Sequence, residues 1–339
     1  MKKLRVLVLM HDYLVPPDDV SEFDLGTVEW KTEYDVTSTL QELGHDVRPL
    51  GVKDDLGSIR QVVNEFKPHI AFNLMEAFHE IGAFDQNVVS YLELLRVPYT
   101  GCNPRGLVLA RDKALSKKLL AYHRIPVPDF AVFRRGRAIR RPKRLEFPVI
   151  VKSLTQEASL GISQASVVSD EDHFVERVRF IHNSIQTDAI AERYIDGREL
   201  YVGVIGNERL RVFPVWELRF TKMPEDQKRI ATERVKWSDR YQTKHGITTG
   251  AARINEALAT DIQRVAKRVY RTLELSGYAR VDIRLNEDGR FYVLEANPNP
   301  QIAFGEEFAD SAERAGLSYE ALLQRLLNIG LRWQPDRMG

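Results

Sequence analysis

The sequence lacks several features that would place it in a specialised class of protein. Its 339 residues include one cysteine, Cys102, which excludes a disulfide framework and a cysteine-ligated zinc site. Lysine and arginine number 49 against 48 aspartate and glutamate, a net charge of +1 that argues against a surface devoted to nucleic acid. No apolar run approaches the ~20 residues of a membrane-spanning helix. We therefore expect a globular cytoplasmic protein that makes no contact with a membrane.

The N-terminal part has neither the pattern expected of a signal peptide nor a glycine-rich nucleotide motif. MKKLRVLVLM has only a short apolar run before His11-Asp12, which favours a first β-strand over a signal peptide. Strand and helix patterns then alternate to about residue 104 and predict an α/β layer with a parallel sheet. Because no G-x-G-x-x-G follows the first strand, we expect no dinucleotide site of the Rossmann type. The length of the chain predicts two or three domains.

The most informative pattern present is a polar hairpin at residues 277–300, GYARVDIRLNEDGRFYVLEANPNP. Asp-Gly between two alternating runs favours a β-hairpin. If residues 286–289 form the loop, Leu285 pairs with Arg290, Arg280 with Glu295 and Asp282 with Val293. Since strand side chains alternate between faces, the hairpin has one polar and one apolar face. The polar face comprises Arg280, Asp282, Arg284, Glu295 and Asn297, and the apolar face Val281, Ile283, Leu285, Tyr292 and Leu294.

Two carboxylates and a carboxamide on one face suit Mg²⁺, which takes its remaining ligands from water and substrate phosphates. The alternative is a solvated face with a weak cross-strand ion pair between Arg280 and Glu295. Pro298-Asn299-Pro300 ends the strand beside the polar cluster, and functional residues concentrate at such loops.

Further residues have the chemistry of a phosphate and nucleoside site. Lys152 ends the strand VIVKS before a loop with Ser159 and Gly161, where small residues let backbone N–H groups approach phosphate. Glu192 and Glu199 flank an Asp-Gly turn and are suited to accept hydrogen bonds from an adenine amino group and ribose hydroxyls. The alternative is that Lys152 is an ordinary surface lysine and that Glu192 and Glu199 only form salt bridges. Together with the hairpin, these residues describe an ATP site between two α+β domains.

Several segments resemble the D-alanine–D-alanine ligase family of the ATP-grasp superfamily in order and spacing. They are PYTGCN at 98–103, RDKALSKKLL, PVIVKS, IAERYIDGRE and RVDIRLNEDGRFYVLEANPNP. The resemblance covers most of the chain and implies a three-domain ATP-grasp architecture of α/β and α+β class. It implies an N-terminal α/β domain at 1–104, a central domain at 105–195 and a C-terminal domain at 196–335. ATP would lie between the last two, under a mobile lid at 221–250.

The resemblance also implies an activity and residue roles. The activity is amide-bond formation between a small-molecule carboxylate and an amine through an acyl-phosphate, with release of ADP, by a homodimer. Its cofactors are ATP and two Mg²⁺ ions, for which Mn²⁺ can substitute. The implied catalytic residues are Arg280, His79, Lys236 and Trp237. The implied ATP-binding residues are Lys113, Lys152, Ser159, Gly161, Glu192 and Glu199, and the implied metal ligands are Asp282, Glu295 and Asn297.

The substrate-binding stretches depart from the family pattern. The N-terminal Ser-x-Glu that holds an ammonium group is absent, and Glu22, Glu29 or Glu33 would have to replace it. Glu306 stands where the family has a serine that grips the acceptor carboxylate, and an acidic side chain repels a carboxylate. We therefore expect an amino acid or small-peptide substrate other than D-alanine. Acidic residues also favour helix starts, so Glu306 and Glu307 admit a purely structural interpretation.

Three alternatives stay open. The chain could be an authentic D-alanine–D-alanine ligase, or a non-catalytic ATP-binding module, although a module of that kind has no need of Arg280. The run 134–144 has seven basic residues among eleven and is typical of a solvated hairpin tip. It could bind RNA or an acidic peptide, but it lacks interleaved aromatic residues for base stacking.

Residues 221–250 have no clear period and are expected to form a long loop.

Overall fold

The structure is a computed structural model that describes residues 3–156, 161–224 and 227–335, without the side chains of Lys236, Trp237 and Asp239. The described residues form three β-sheets flanked by helices. No helix in these ranges is long and apolar enough to cross a membrane.

The first sheet is parallel, with strand order β2-β1-β3, as the alternation of strands and helices predicts. Its elements are β1 (Arg5–His11), α1 (Lys31–Glu42), β2 (Asp46–Val52), α2 (Leu56–Phe66), β3 (Ile70–Asn73) and α3 (Asp85–Leu94). Central β1 is buried over nearly its whole length, which explains its continuous apolar sequence. The strand expected at 97–100 is reduced to one bridge between Ala71 and Tyr99.

The second sheet is antiparallel, with order β4-β7-β5-β6. This region contains α4 (Pro104–Arg111), α5 (Lys113–Tyr122), β4 (Phe130–Phe133), β5 (Val149–Ser153), β6 (Val167–Val168), α6 (Glu171–Phe180) and β7 (Ala189–Arg193). The helix predicted to begin at Arg111 begins at Lys113, because Asp112 caps it by accepting from the amides of Ala114 and Leu115 at 2.9 Å.

The basic run 134–144 is not a hairpin tip, because β4 and β5 lie on opposite sides of β7. Because both strands are antiparallel to β7, they are parallel to each other, and the run belongs to a crossover connection that returns along the sheet. Arg141 is held by Glu171 at 3.0 Å and lies over the ring of Phe147. Most of the other basic side chains of the run are exposed, as a solvated surface requires.

The third sheet has the order β11-β10-β8-β12-β13, with β9 paired to β8. Its strands are β8 (Arg198–Ile205), β9 (Arg211–Val212), β10 (Trp216–Phe220), β11 (Ile247–Ala251), β12 (Tyr278–Leu285) and β13 (Phe291–Pro298). Its helices are α7 (Glu233–Trp237), α8 (Asp239–His245), α9 (Glu256–Thr272), α10 (Glu307–Arg314) and α11 (Tyr319–Gly330). Because β7 and β8 belong to different sheets, the Asp196-Gly197 turn carries the chain from one sheet to the next.

The prediction of a long loop at 221–250 is wrong, since this stretch contains α7, α8 and most of β11. Single-residue caps define the two helices. Thr232 accepts from the amide of Val235, Ser238 accepts from that of Tyr241, and Gly246 ends α8 at φ +57°. These helices are too short to show a hydrophobic period, so the sequence pattern did not reveal them.

Polar contacts connect the second sheet region to the third sheet, since Lys113 lies 3.9 Å from Glu295 and Lys117 donates to the carbonyl of Leu294. One apolar core joins the first and third sheets, while the second sheet has a core of its own, which includes Val151, Phe174 and Ala191. On the other face of the second sheet, Ile190 packs with Ala114 of α5. Helix α5 thus lies on the side of β5 and β7 that carries Lys152 and Glu192.

Candidate active site

The hairpin β12–β13 has a register different from the predicted one. Leu285 lies opposite Phe291 rather than Arg290, because Asn286 makes a wider loop. The amide of Asn286 donates to the carbonyl of Arg290 at 2.9 Å, and its side-chain oxygen accepts from the amide of Arg290 at 2.8 Å. This turn alone would move Glu295 to the apolar face, since a slip of one residue exchanges the faces.

A β-bulge at Leu294 restores the polar face. Ile283 pairs with Val293 and Asp282 with Glu295, so that Leu294 is the extra residue. Arg280 then lies opposite Asn297, and the four polar side chains share a face as predicted, although in different pairs. On the other face Val293 is fully buried, whereas Tyr292 lies opposite Arg284 and not on the apolar face.

Arg280 is fixed by carboxylates on two sides. Its Nε and Nη2 donate to Asp282 at 2.7 and 3.0 Å, and its Nη1 donates to Glu307 at 3.2 Å. Asn297 donates to the same Asp282 at 2.9 Å, and Tyr201 stacks beneath the guanidinium. Burial opposes the charge, but Asp282 and Glu307 outweigh it and hold the pKa of Arg280 well above its ordinary value. The hairpin therefore presents a permanent, oriented cation.

A buried ionic cluster on the second sheet and α5 lies within electrostatic reach of Glu295 of the hairpin. The Glu192 carboxylate is 1% exposed, with Lys152 Nζ 3.0 Å from one oxygen and Lys117 Nζ 3.3 Å from the other. Burial alone would raise the pKa of Glu192, but the two ammonium groups lower it. Burial lowers the pKa of Lys152, but Glu192, Glu295 and Glu199 together outweigh burial and hold this pKa above its ordinary value.

Lys117 was not identified from the sequence. It is 1% exposed, and its Nζ donates to the carbonyl of Leu294, the bulge residue of β13. It lies four residues after Lys113 in α5 and hence on the same helix face, a spacing that could have revealed it. Burial lowers the pKa of Lys117, against the attraction of Glu192. The residue links the ionic cluster to the bulge that sets the polar face.

Lys117→Met is expected to lower the free energy of unfolding by about 3 kcal/mol, the usual cost of removing one partner of a buried ion pair. The bulge carbonyl loses its donor and Glu192 loses one cation. Urea unfolding followed by tryptophan fluorescence measures the change. Lys118→Met is the matched control, because Lys118 is the exposed neighbour in the same helix. Equal midpoints for the two variants would show that the Lys117 contacts do not stabilise the fold.

Two other predicted ATP-site residues, Lys113 and Glu199, each pair with a residue of the hairpin. Lys113 donates to the carbonyl of Gln156 at 2.6 Å and lies 3.9 Å from Glu295. Glu199, on β8, accepts from the hydroxyl of Tyr201 at 3.1 Å and pairs with Arg284 at 3.2 Å.

Gly161 lies in a loop that touches the predicted lid. Gly161 has φ +71°, a conformation that favours glycine. Farther along this loop, Gln164 exchanges two hydrogen bonds with the backbone of Lys228 at 2.8 and 2.9 Å. The loop that follows β5 and the segment that precedes α7 are therefore in contact.

Some predicted residues are not brought to this cluster. His79 is 64% exposed, and its ion-pair contact is with Asp54 at 4.0 Å, away from the hairpin. Ser159 lies outside the described residues, as do the side chains of Lys236 and Trp237, whose backbone belongs to α7. Their roles stay predictions.

A pocket adjoins the polar face at the start of β12. We call it the α1 pocket, and it encloses about 360 Å³ of space, open solvent included. It is lined by Thr32, Glu33, Asn73, Leu74, Met75, Glu76, Tyr278, Asn299, Pro300, Gln301 and Ile302. Of the three acidic candidates near the N-terminus, Glu22 and Glu29 are exposed, and Glu33 is buried against the pocket. Burial, helped by the charge of Glu76, raises the pKa of Glu33 to about 7.

The raised pKa of Glu33 makes stability depend on pH. The folded protein binds this proton more tightly than the unfolded chain, where the pKa is near 4.5. The stabilisation is therefore complete below pH 4.5 and is lost as the pH rises through about 7. Glu33→Gln should raise the free energy of unfolding by about 3 kcal/mol at pH 8 but by under about 1 kcal/mol at pH 5. Urea unfolding at both pH values measures this.

Glu42→Gln is the control for this pH effect, because Glu42 is exposed at the end of the same helix. It should leave stability unchanged at both pH values. An equal gain for Glu33→Gln at pH 5 and pH 8 would contradict the raised pKa.

Comparisons with known proteins assign the chain to a family. A family model described as D-ala D-ala ligase C-terminus matches residues 119–328. The chain is 30% identical over 308 residues to a D-alanine–D-alanine ligase of Syntrophotalea carbinolica, which covers 88% of this chain and 90% of that protein. The chain belongs to the D-alanine–D-alanine ligase family. It is also 31% identical over 304 residues to the uncharacterised protein y4sG of Sinorhizobium fredii, which covers 88% of this chain and 86% of that protein.

A solved structure confirms the predicted ATP-grasp fold of this family member. The D-alanine–D-alanine ligase of Bacillus anthracis, complexed with ATP, superposes with a TM-score of 0.74 at 21% identity. The match covers 97% of this chain and 98% of that one. As a member of this family, the chain is an ADP-forming ATP-grasp ligase.

Proposed function

We propose that this ligase joins a carboxylate to an amine through an acyl-phosphate, on an amino acid or small peptide other than two D-alanines. The observation that carries the proposal is Arg280, 15% exposed and held by Asp282 and Glu307 beside a face that also bears Glu295 and Asn297. A fixed cation of this kind is what a developing oxyanion requires.

ATP would bind between the polar residues of the second and third sheets. Lys113 and Lys152 would contact its phosphates, as the resemblance implies, because both reach this region from α5 and β5. Glu192 contacts Lys117 and Lys152. These contacts support a role of Glu192 in orienting the two lysines, rather than the contact with adenine expected from the sequence. Glu199 would face the ribose, with its carboxylate oriented by Tyr201 and Arg284.

The polar face fits Mg²⁺. Within residues 3–156, 161–224 and 227–335 no cluster of three or more His, Cys, Asp or Glu side chains has the arrangement of a metal cage. Mg²⁺ needs no such cage, since it binds one or two carboxylates and completes its shell with water and phosphates. Asp282, Glu295 and Asn297 would hold it. When bound, it would neutralise charge on the transferred phosphoryl group.

Amide formation would then proceed in two steps, phosphorylation of the acid and attack of the amine. The substrate carboxylate attacks the γ-phosphate of ATP, and ADP leaves. The amine attacks the carbonyl carbon of the acyl-phosphate, Arg280 stabilises the tetrahedral oxyanion, and inorganic phosphate departs. Contacts between the loop after Gly161 and the segment before α7 support exclusion of water from this intermediate.

Glu306 and Glu307, at the position where the acceptor is expected to bind, support a substrate other than D-alanine. Glu307 engages Arg280, and Glu306 is half-buried at the N-cap of α10, where burial and the charge of Glu307 raise its pKa. These residues are therefore more than a solvated helix start. Their negative charge disfavours an acceptor carboxylate at this position.

Release of ADP against a panel of carboxylates and amines tests this function. We expect ADP only when a suitable acid is present, hydroxamate when hydroxylamine replaces the amine, and no turnover with D-alanine alone. Efficient turnover of D-alanine would instead establish the activity after which several relatives are named. ATP binding without ADP or hydroxamate from any acid would leave a non-catalytic nucleotide-binding module.

A further inference from the structure

Lys117 is a buried side chain that no step of the proposed reaction uses. It lies in α5, and its Nζ is 3.3 Å from one oxygen of the Glu192 carboxylate in the second sheet. The same nitrogen donates to the backbone carbonyl of Leu294 in the third sheet. Because a buried polar group without partners costs free energy, these contacts fix the lysine in one position. Lys117 is therefore held from two sheets at once.

The contact with Leu294 lies at the bulge of β13. The extra residue of a bulge is left unpaired in the ladder, so the local shape of the strand depends on bonds from elsewhere. Strand β13 is the last strand in the order of the third sheet. The amide of Val293 donates to the carbonyl of Pro126, which follows α5, at 2.8 Å. With the bond from Lys117 to Leu294, two successive residues of β13 are held by the segment that contains α5.

The bulge determines which face of the hairpin carries Glu295. Glu295 directly follows Leu294 and lies opposite Asp282, and a register without the extra residue would place it on the apolar face. Lys113, one turn before Lys117 in α5, lies 3.9 Å from the Glu295 carboxylate. Helix α5 therefore contacts both the side chain of Glu295 and the carbonyl group immediately before it.

We propose that Lys117 is a positioning residue of the ligase, which holds the bulge at Leu294 so that Glu295 can bind Mg²⁺. The proposal rests on the ligase function above and adds a residue to its metal site. Lys117 would act through Glu295 and would contact neither the metal nor the substrates. Glu192 keeps Lys152 as a partner at 3.0 Å when Lys117 is removed. The loss should therefore fall on the metal rather than on ATP.

Lys117→Met removes both contacts and keeps an unbranched side chain. It should raise the half-saturating Mg²⁺ concentration for ADP release about tenfold, the usual effect of removing a group that orients a metal ligand. The KM for ATP at saturating Mg²⁺ should change less than about threefold, because the contacts of Lys113 and Lys152 remain. Calorimetric titration of Mn²⁺ into the protein with a non-hydrolysable ATP analogue should show the same loss without turnover. Lys118→Met, in the exposed neighbour, should match the wild type.

A double-mutant cycle with Glu295→Gln separates positioning from a purely structural role. If Lys117 acts through Glu295, Lys117→Met should weaken Mn²⁺ binding less than about twofold further in the Glu295→Gln background. A purely structural role would lower stability in both backgrounds and leave Mn²⁺ binding unchanged. Should Lys117→Met not fold, Lys117→Gln replaces it, because its shorter, uncharged side chain also loses both contacts.

Unchanged Mn²⁺ binding in the Lys117 variant, or a loss that adds fully to that of Glu295→Gln, would overturn the proposal. Turnover of the wild type in the same experiments would then leave the ligase function intact. If no acid supports ADP release, the ligase function fails, and the Mn²⁺ titrations still decide whether Lys117 positions the metal ligand.

Discussion

Arg280→Lys should lower kcat by a factor on the order of 10² to 10³, with little change in the KM for ATP. Lysine keeps the charge but cannot make the two parallel hydrogen bonds to Asp282 that orient the guanidinium. Arg280 lies on the polar face of the hairpin, apart from the lysines of the ionic cluster, so nucleotide binding should persist. Steady-state ADP release and calorimetric titration of a non-hydrolysable ATP analogue separate the two effects.

Arg290→Lys is the matched control, because Arg290 is exposed at the turn of the same hairpin. It should retain wild-type turnover. If Arg280→Lys turned over at the wild-type rate, the cation would have no role in the chemical step. A parallel loss of nucleotide binding would instead place Arg280 in the nucleotide site.

Glu295→Gln should raise the half-saturating Mg²⁺ concentration at least about tenfold and lower kcat on the order of 100-fold. The substitution keeps the volume but removes the negative charge that faces Asp282 across the strand pair. It also removes the carboxylate 3.9 Å from Lys113, so the repulsion between this lysine and the metal is no longer balanced. ADP release across a series of Mg²⁺ concentrations measures both parameters.

For this substitution the comparison is Glu287→Gln, a charge-removing change in the exposed hairpin loop. Its Mg²⁺ dependence should match that of the wild type. An unchanged Mg²⁺ dependence in Glu295→Gln would show that the polar face is not the metal site.

The sequence predicted the hairpin and the composition of its polar face, but not how the face is built. The loop around Asn286 is one residue longer than expected, and the bulge at Leu294 corrects the resulting slip. The two deviations cancel, so the polar face contains the predicted residues although the register that was used to predict them was wrong. The bulge could not be predicted locally, because its carbonyl is satisfied by Lys117 from α5, far away in sequence.

The α1 pocket was predictable only in part. The absence of the family motif pointed to three acidic residues, and of these Glu33 is buried and lines the pocket. His79, the histidine expected near the substrate, is exposed and does not line this pocket, whereas Glu76 does, and the role of His79 stays a prediction. Because the lining comes from three distant segments, spacing within any one of them carries little information about it.

The central claim is that the acid is activated as an acyl-phosphate, and transfer of ¹⁸O tests it most directly. An accepted acid labelled with ¹⁸O in its carboxylate is converted with ATP and its amine, and the inorganic phosphate is examined by mass spectrometry. We predict one ¹⁸O atom in each phosphate released, because the carboxylate oxygen that attacks the γ-phosphate leaves with it. Unlabelled phosphate beside ADP, or AMP and pyrophosphate in place of ADP, would contradict the account.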